Sequence, residues 1–431
     1  MIYEKEYAGR RKKLAKKLCS NSIMIVYSAE QKIRSNDTEF PYRQDSNFYY
    51  LTGFKEDNSA LVIIKEKKEF KSYLFVAKKD PSLELWTGKR LGQEKAKKSF
   101  LVDDVFLYED LGKKLSNFVA KKYALYYDFK LDYSKVKLIK SKTKNISAYL
   151  NVAILIEEMR LIKSASEIKL IKKALTITKE AHHKAMKISS SLKYEYELQA
   201  EFEYIFKKNG AYSDAYTTIV ACGNSANTLH YIANDKRLIK NELILIDAGC
   251  EYEYYASDIT RTIAVSGEFS SAQKEVYNMV LDVNKKIIKM IKPNILKSEL
   301  QKKSEELLCK GMLRLGILYG EFQELLDEKI YKKYYPHGIG HWMGLDVHDQ
   351  CPYKTISDDE IPLKAGMVMT IEPGIYLEKE DKSIPKKYRG IGIRIEDNIL
   401  VTKDGYENLS SDIIKDVDEM QEFIRKNSSS Q

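Results

Sequence analysis

The strongest constraint in this sequence is a set of four acids placed at the ends of apolar runs. Leu243-Ile-Leu-Ile leads into Asp247, Val368-Met-Thr-Ile into Glu372, and Ile391-Gly-Ile-Arg-Ile into Glu396, while Asp258 stands in Ala256-Ser-Asp-Ile-Thr-Arg. Short runs of Ile, Leu and Val read as buried strands. One carboxylate at the end of one such strand is unremarkable: it fits a turn, and Asp258 fits equally well a surface pair with Arg261. Four in one half of the chain are hard to explain as solvated surface. Carboxylates on buried strands are costly to desolvate and repel one another. Asp247 and Asp258 are eleven positions apart, which lets adjacent antiparallel strands carry them side by side. A shared divalent cation removes the cost.

The histidines point the same way. The chain has six, and His337, His341 and His348 fall within Pro336-His-Gly-Ile-Gly-His-Trp-Met-Gly-Leu-Asp-Val-His-Asp; His230 lies in Asn227-Thr-Leu-His-Tyr. A lone histidine is more often a core residue than a ligand. Scarce histidines clustered among glycines, beside four strand-end acids, reverse that expectation. His182 and His183 lack such company and read as structural. One imidazole with four carboxylates is a donor set for Mn²⁺, Co²⁺ or Zn²⁺. It lacks the thiolates of structural zinc, and its oxygens suffice for two ions with a water between them.

The first 150 residues alternate between strand and helix patterns. Strands are expected at Ser22–Tyr27, Asn47–Gly53, Ala60–Lys65, Lys71–Ala77 and Tyr123–Phe129, with helices over Glu4–Leu18 and after Trp86-Thr-Gly-Lys-Arg-Leu-Gly. This fits an α/β layer with a largely parallel sheet. A boundary near residues 150–165 places one domain over 1–160 and a second over 161–431. Ser164 and Glu167 have capping-box spacing and open a long helix. Further helices are expected over Tyr196–Asn209, closed by Gly210, Ser271–Ile291, and Ser298–Leu315, capped by Ser298 with Gln301. Strands are expected at Thr217–Cys222, Glu242–Ala248, Tyr252–Tyr255, Ile259–Val265, Met367–Ile371 and Ile391–Val401, so the second domain reads as α+β.

Composition excludes several functions. Cys19, Cys222, Cys250, Cys309 and Cys351 are odd in number and form no CxxC, which suits a reducing compartment. Cys250 reads as a buried bystander. The net charge is +10, but the lysines are interleaved with Asp and Glu, so they form a solvated surface rather than a nucleic-acid or membrane face. No stretch approaches the roughly 18 apolar residues of a membrane span. Met1-Ile-Tyr-Glu-Lys-Glu carries charges where a signal peptide is apolar, and a cytoplasmic protein is expected.

The set Asp247, Asp258, His341, Glu372 and Glu396 resembles the five-ligand dinuclear centre of the pita-bread metallopeptidases, the superfamily of methionine aminopeptidase and prolidase. Longer stretches are similar to the bacterial Xaa-Pro aminopeptidases within it. They are Asp37-Thr-Glu-Phe-Pro-Tyr-Arg-Gln-Asp-Ser-Asn-Phe-Tyr-Tyr-Leu-Thr-Gly-Phe, Trp86-Thr-Gly-Lys-Arg-Leu-Gly-Gln, Leu245-Ile-Asp-Ala-Gly-Cys-Glu-Tyr, Asp258-Ile-Thr-Arg-Thr, His341-Trp-Met-Gly-Leu-Asp-Val-His-Asp and Tyr388-Arg-Gly-Ile-Gly-Ile-Arg-Ile-Glu-Asp. The likeness spans nearly the whole chain, and the Asp349–Lys364 loop departs from the pattern.

The resemblance implies a creatinase-type α/β N-terminal domain followed by an α+β pita-bread catalytic domain. It implies release of the first residue from peptides with proline second, and two divalent ions, Mn²⁺ before Co²⁺ or Zn²⁺. Asp247 would bind one ion, Asp258 and Glu396 would bridge both, and His341 and Glu372 would complete the site. Glu372 would also act as general base, and His348 would stabilise the oxyanion. His230 and His337 would line the proline pocket with Tyr376 at its edge, while Arg394 and Tyr216 would form a relay to Asp247. Asp37 and Trp86 would crowd the mouth of the site, contributed by a neighbouring subunit of a homo-oligomer, a dimer or a tetramer. Peptides are the implied partners, with no nucleic acid and no membrane. Prolidase, which accepts only Xaa-Pro dipeptides, is the near alternative. Creatinase lacks the complete ligand set, and non-enzymatic pita-bread modules have lost ligands, whereas all five positions are filled here.

Overall fold

The computed structural model describes residues 2–118, 122–143 and 145–428. The chain divides into two compact units, Met1–Arg160 and Leu161–Gln431.

The first unit is built on a six-stranded sheet in the order Asp104–Leu107, Glu69–Val76, Ala60–Glu66, Ser22–Tyr27, Tyr123–Tyr127, Ile146–Asn151. Ser22–Tyr27 is buried along its whole length, as its unbroken apolar run requires for a strand covered on both faces. The sheet is mixed rather than largely parallel. Ser22–Tyr27 runs antiparallel to Ala60–Glu66 and parallel to Tyr123–Tyr127. Ala60–Glu66 continues antiparallel into Glu69–Val76, because the connection is too short for the crossover a parallel pair needs. Ile23, Ile25, Val62, Phe75 and Leu125 pack on this sheet with Leu111, Leu115 and Ile139 from helices. Asn47–Gly53 is a helix, Ser46–Thr52, not a strand. The Asp45 carboxylate accepts from the Phe48 N–H at 2.7 Å, and Gly53 closes the helix at φ 69°. This local capping outweighs the β preference of the aromatic run.

In the second unit the Ser164–Glu167 capping box opens the helix Ala165–Ile188. Glu195–Lys208, Ser271–Met290 and Lys297–Arg314 follow as the other long helices. The last starts on Leu296 rather than Ser298: the Glu299 carboxylate accepts from the Leu296 N–H at 2.9 Å, and the Ser298 N–H is taken by Glu360. These helices enclose a core containing Ile177, Phe202, Ile246, Tyr277, Trp342 and Ile393. Among the described residues no helix is long and apolar enough to cross a membrane.

Ile219–Cys222, Leu243–Asp247 and Thr260–Ala264 form an antiparallel sheet in that order. Between its last two strands, Tyr252–Tyr255 is the turn of a hairpin rather than a strand, with Glu253 and Tyr254 at positive φ. The expected strand Ile391–Val401 is also divided. Ile391–Arg394 pairs with Gly374–Leu377, and Asp397–Val401 pairs with Val368–Ile371. At the joint, the Ile395 N–H donates to Pro373 and the Glu396 N–H to Thr260. Arg261 is fully buried, so it forms no surface pair with Asp258. It donates to Asp397 at 2.9 Å, and Lys415 holds the other oxygen of that carboxylate.

Candidate metal centre

Asp247 ends its strand opposite Thr260, and Asp258 precedes Thr260 by two residues. The strand pair therefore brings both acids to one end of one sheet. Gly249 makes the intervening turn possible, since a Cβ there would lie 1.9 Å from the Ser257 carbonyl oxygen. The Asp258 N–H donates to Asn398 Oδ1 at 3.1 Å. Glu396 arrives from the joint described above, and its carboxylate accepts from Thr260 Oγ1 at 2.8 Å. Glu372 follows Val368–Ile371, with its N–H bonded to the Ile339 carbonyl.

His341 is held against the same strand. Its N–H donates to Thr370 Oγ1 at 3.0 Å and its carbonyl accepts from the Thr370 N–H. Gly340 is required here, because a Cβ would lie 1.9 Å from the Thr370 carbonyl. The His341 Nδ1 stands 3.0 Å from the Trp342 carbonyl. A carbonyl only accepts, so Nδ1 carries the proton and Nε2 faces the acids. Nε2 lies 3.3 Å from Asp258 and 3.6 Å from Glu372. Asp258, His341 and Glu396 offer donor atoms all within 4.8 Å of one another, a group that could hold a metal ion.

The electrostatics show what such a cluster costs. Burial, then Asp258, Glu372 and Asp247, push the Glu396 carboxyl well above its ordinary value. Glu372 is pushed up to about 7, mainly by burial and by Asp258 and Asp247, against His341 and Arg394. Burial and Asp258 likewise raise Asp247, although Arg394 opposes them. Burial works against the His341 imidazolium, but Asp258 and Glu372 win and hold it up to about 9. Acids that resist ionisation beside a histidine that resists deprotonation are the signature of a site short of positive charge.

A directional chain of donors surrounds the acids. Arg394, 4% exposed, donates to Asp247 at 2.6 Å and to the Tyr376 hydroxyl at 3.0 Å. His337 Nδ1 faces the Gly338 carbonyl at 2.8 Å, so its Nε2 accepts from Tyr376, also at 2.8 Å. Burial and Arg394 lower His337 to about 4, which keeps it neutral as this chain needs. Tyr216 donates to the other Asp247 oxygen at 2.6 Å. The His348 ring meets His341 edge-on at 4.1 Å, and burial, then His341, lower its pKa.

All these groups border or support a cavity of about 480 Å³, lined by Tyr216, His230, Asp247, Asp258, His337, His341, His348, Glu372, Arg394 and Glu396 with Ile219, Leu229 and Val347. Tyr376 stands behind His337. Asp37 and Trp86 lie exposed in the first unit, Asp37 in the turn after Ile33–Ser35 and Trp86 on the helix Pro81–Thr87. His182 is buried with Nε2 at 3.2 Å from the Ala248 carbonyl, and Cys250 is a buried free thiol beside Thr178 and Ser257. Sequence reasoning missed Thr260, Thr370 and Asn398, which orient the acids and His341. The hydroxyls of Thr260 and Thr262 on a fully buried strand were the available signal, since buried polar groups need partners.

Comparison with known proteins places this geometry. The model of metallopeptidase family M24 matches residues 169–403, and that of the aminopeptidase P N-terminal domain matches residues 7–126. The Xaa-Pro aminopeptidase of Haemophilus influenzae is 38% identical, over 98% of this chain and 97% of its own length. That of Escherichia coli is 36% identical, over 98% of each. Among solved structures, E. coli aminopeptidase P in complex with substrate superposes with a TM-score of 0.96 at 34% identity, covering 100% of both chains. Proline aminopeptidase P II from Yersinia pestis gives 0.94 at 35%, over 99% of this chain and 100% of its own. The chain belongs to metallopeptidase family M24 and, within it, to the Xaa-Pro aminopeptidases.

Proposed function

We propose that this chain removes the first residue of peptides whose second residue is proline, using two divalent ions, Mn²⁺ first among them. Asp247, Asp258, His341, Glu372 and Glu396 would hold the ions. One observation carries the reading: four carboxylates and one imidazole nitrogen converge on a single cavity that has too little positive charge to balance them. Oxygen donors with one imidazole fit such ions. Bound there, the ions would supply Lewis acidity, bringing the pKa of water towards neutrality and offsetting negative charge on the carbonyl oxygen.

The residues of the chain do the rest. Glu372 takes the proton of the attacking water and delivers it to the departing proline nitrogen. Its carboxyl borders the cavity among the other ligands, within reach of a water held there. His348, kept neutral by burial, offers an N–H to the developing oxyanion. His230 and His337 receive the proline ring, with His337 fixed by Tyr376 and Arg394. A bond before proline is a tertiary amide without N–H, so a ring-shaped pocket replaces the backbone donor on which other peptidases rely. The acids of the centre attract the free α-amine and confine cleavage to the first bond. Exposed Leu83, Leu85 and Trp86 on one short helix support a homo-oligomer, and five free thiols support a reducing cytoplasm.

The test compares Ala-Pro-Ala with Ala-Pro after reconstitution with Mn²⁺, with Glu372→Ala as control. Alanine release from the tripeptide, absent in the variant, is expected. Activity confined to the dipeptide would make the protein a prolidase and overturn the reading.

A further inference from the structure

Arg394 is fully engaged by Asp247, Tyr376 and Thr260. A second cation stands behind the cavity wall and, among the described residues, forms no ion pair. Lys297 opens the helix Lys297–Arg314, and its Nζ lies 3.9 Å from the point where a side chain on Gly338 would begin. Gly338 lines the cavity beside His337, and the ammonium packs behind it at ordinary van der Waals distance. Gln301 Oε1 approaches the same point at 3.7 Å but already accepts from the Ile339 N–H at 2.6 Å. The Tyr353 ring faces Nζ with its centroid at 5.0 Å. Among the described residues no carboxylate forms an ion pair with this ammonium and no oxygen accepts a hydrogen bond from it.

A half-buried ammonium in contact with a ring face and bonded to no oxygen is poorly compensated. Burial lowers its pKa, against the opposing fields of Glu372 and Glu360. Other lysines of this chain do pair with acids, Lys286 with Asp282 and Lys333 with Asp381. An anion delivered through the cavity would complete Lys297 as those partners complete theirs.

We propose that Lys297 is a specificity-determining residue that binds a carboxylate carried by the peptide just beyond its proline. The proposal rests on the reading of His337 as a wall of the proline pocket, because a peptide leaving that pocket would pass Gly338, which lines the same cavity. The carboxylate has two sources, an acidic third residue or the free C-terminus of a short peptide.

The experiment measures kcat/KM for Ala-Pro-Glu-NH2, for Ala-Pro-Ala with its free carboxylate, and for amidated Ala-Pro-Ala-NH2. Each charged peptide is expressed as a ratio to the amidated neutral one. A charge-assisted hydrogen bond on a partly exposed group leads to a preference of about tenfold, carried mainly in KM. Lys297→Arg should keep the preference, Lys297→Met should abolish it and Lys297→Glu should invert it. Loss on the Glu peptide alone assigns the side chain as the source, and loss on the free tripeptide alone assigns the C-terminus. Ratios that are the same in the parent and all three variants overturn the proposal. Calorimetric binding of Pro-Glu-NH2 against Pro-Gln-NH2 to the parent and Lys297→Met separates the two readings. Discrimination lost in Lys297→Met, with none of the peptides cleaved, would sink the aminopeptidase reading and leave Lys297 standing. Cleavage without charge discrimination would do the reverse.

Discussion

Replacing Glu372 with Gln removes one of four like charges from the centre and keeps an oxygen for the Thr370 hydroxyl, which reaches Glu372 at 3.3 Å. In the metal-free protein the Glu372 carboxyl is pushed from 4.5 to about 7, by burial first and then by Asp258 and Asp247. A group whose pKa is raised on folding favours the folded state while protonated, and that contribution is lost as pH climbs through the folded value. Each pH step between the unfolded and folded values is worth about 1.4 kcal/mol, so ionised Glu372 costs the metal-free fold about 3 kcal/mol above about pH 8. Gln carries no such cost. In EDTA at about pH 8, Glu372→Gln should therefore melt higher than the parent, by about 5 °C for a domain of this size. At about pH 5 the advantage should shrink to about 1 kcal/mol. His341, 3.6 Å away, loses an ionic partner in the variant, so these values are upper limits. Differential scanning calorimetry of both stripped proteins at the two pH values measures the effect. With Mn²⁺ the order should reverse, as the ion stabilises the parent more than the variant. A variant no more stable than the parent at the higher pH would refute the idea that repulsion among the acids is built into the site.

Other consequences follow from the same geometry. Tyr376→Phe breaks the donor chain between Arg394 and His337; kcat/KM on Ala-Pro-Ala should fall about tenfold or more, and His337→Ala should add little on top, because the two act as one unit. His341 stays protonated up to about 9 in the metal-free centre, so an ion must displace its proton. Apparent Mn²⁺ affinity should rise with pH until about pH 9, with proton release visible by calorimetry in buffers of different ionisation enthalpy; a flat affinity profile would contradict this. Asp397→Asn takes the counter-charge from buried Arg261 and half-buried Lys415 and should cost about 3–5 kcal/mol in urea unfolding at neutral pH. Arg261 and Lys415 overcome burial to hold the Asp397 carboxyl down to about 2, so its contribution is present above its unfolded value and fades as pH falls towards about 2.

The centre was legible from sequence to the extent that its chemistry is local. Asp247, Glu372 and Glu396 betray themselves by ending apolar runs, and the spacing of Asp247 and Asp258 matches the antiparallel register that joins their strands. The partners that orient them were not legible. Thr260, Thr370 and Asn398 look like ordinary strand residues until distant segments are brought together, as when the Glu396 carboxylate reaches Thr260 across 136 positions. The division of Ile391–Val401 was hidden for the same reason, since the bonds at Ile395 and Glu396 go to Pro373 and Thr260 rather than along the strand. The helix Ser46–Thr52 was misread because Phe48, Tyr49 and Tyr50 favour strands by type, whereas Asp45 and Gly53 decide the matter as caps. Lys297 gave no signal at all among so many lysines, and only its place behind Gly338 distinguishes it.

The most direct test of the proposed two-metal centre is a titration of the thoroughly stripped protein with Mn²⁺, followed as alanine release from Ala-Pro-Ala. The stripped protein should be inactive, and activity should climb to a plateau at about two ions per chain. Full activity after stripping, or a plateau at about one ion, would contradict the two-metal assignment of Asp247, Asp258, His341, Glu372 and Glu396.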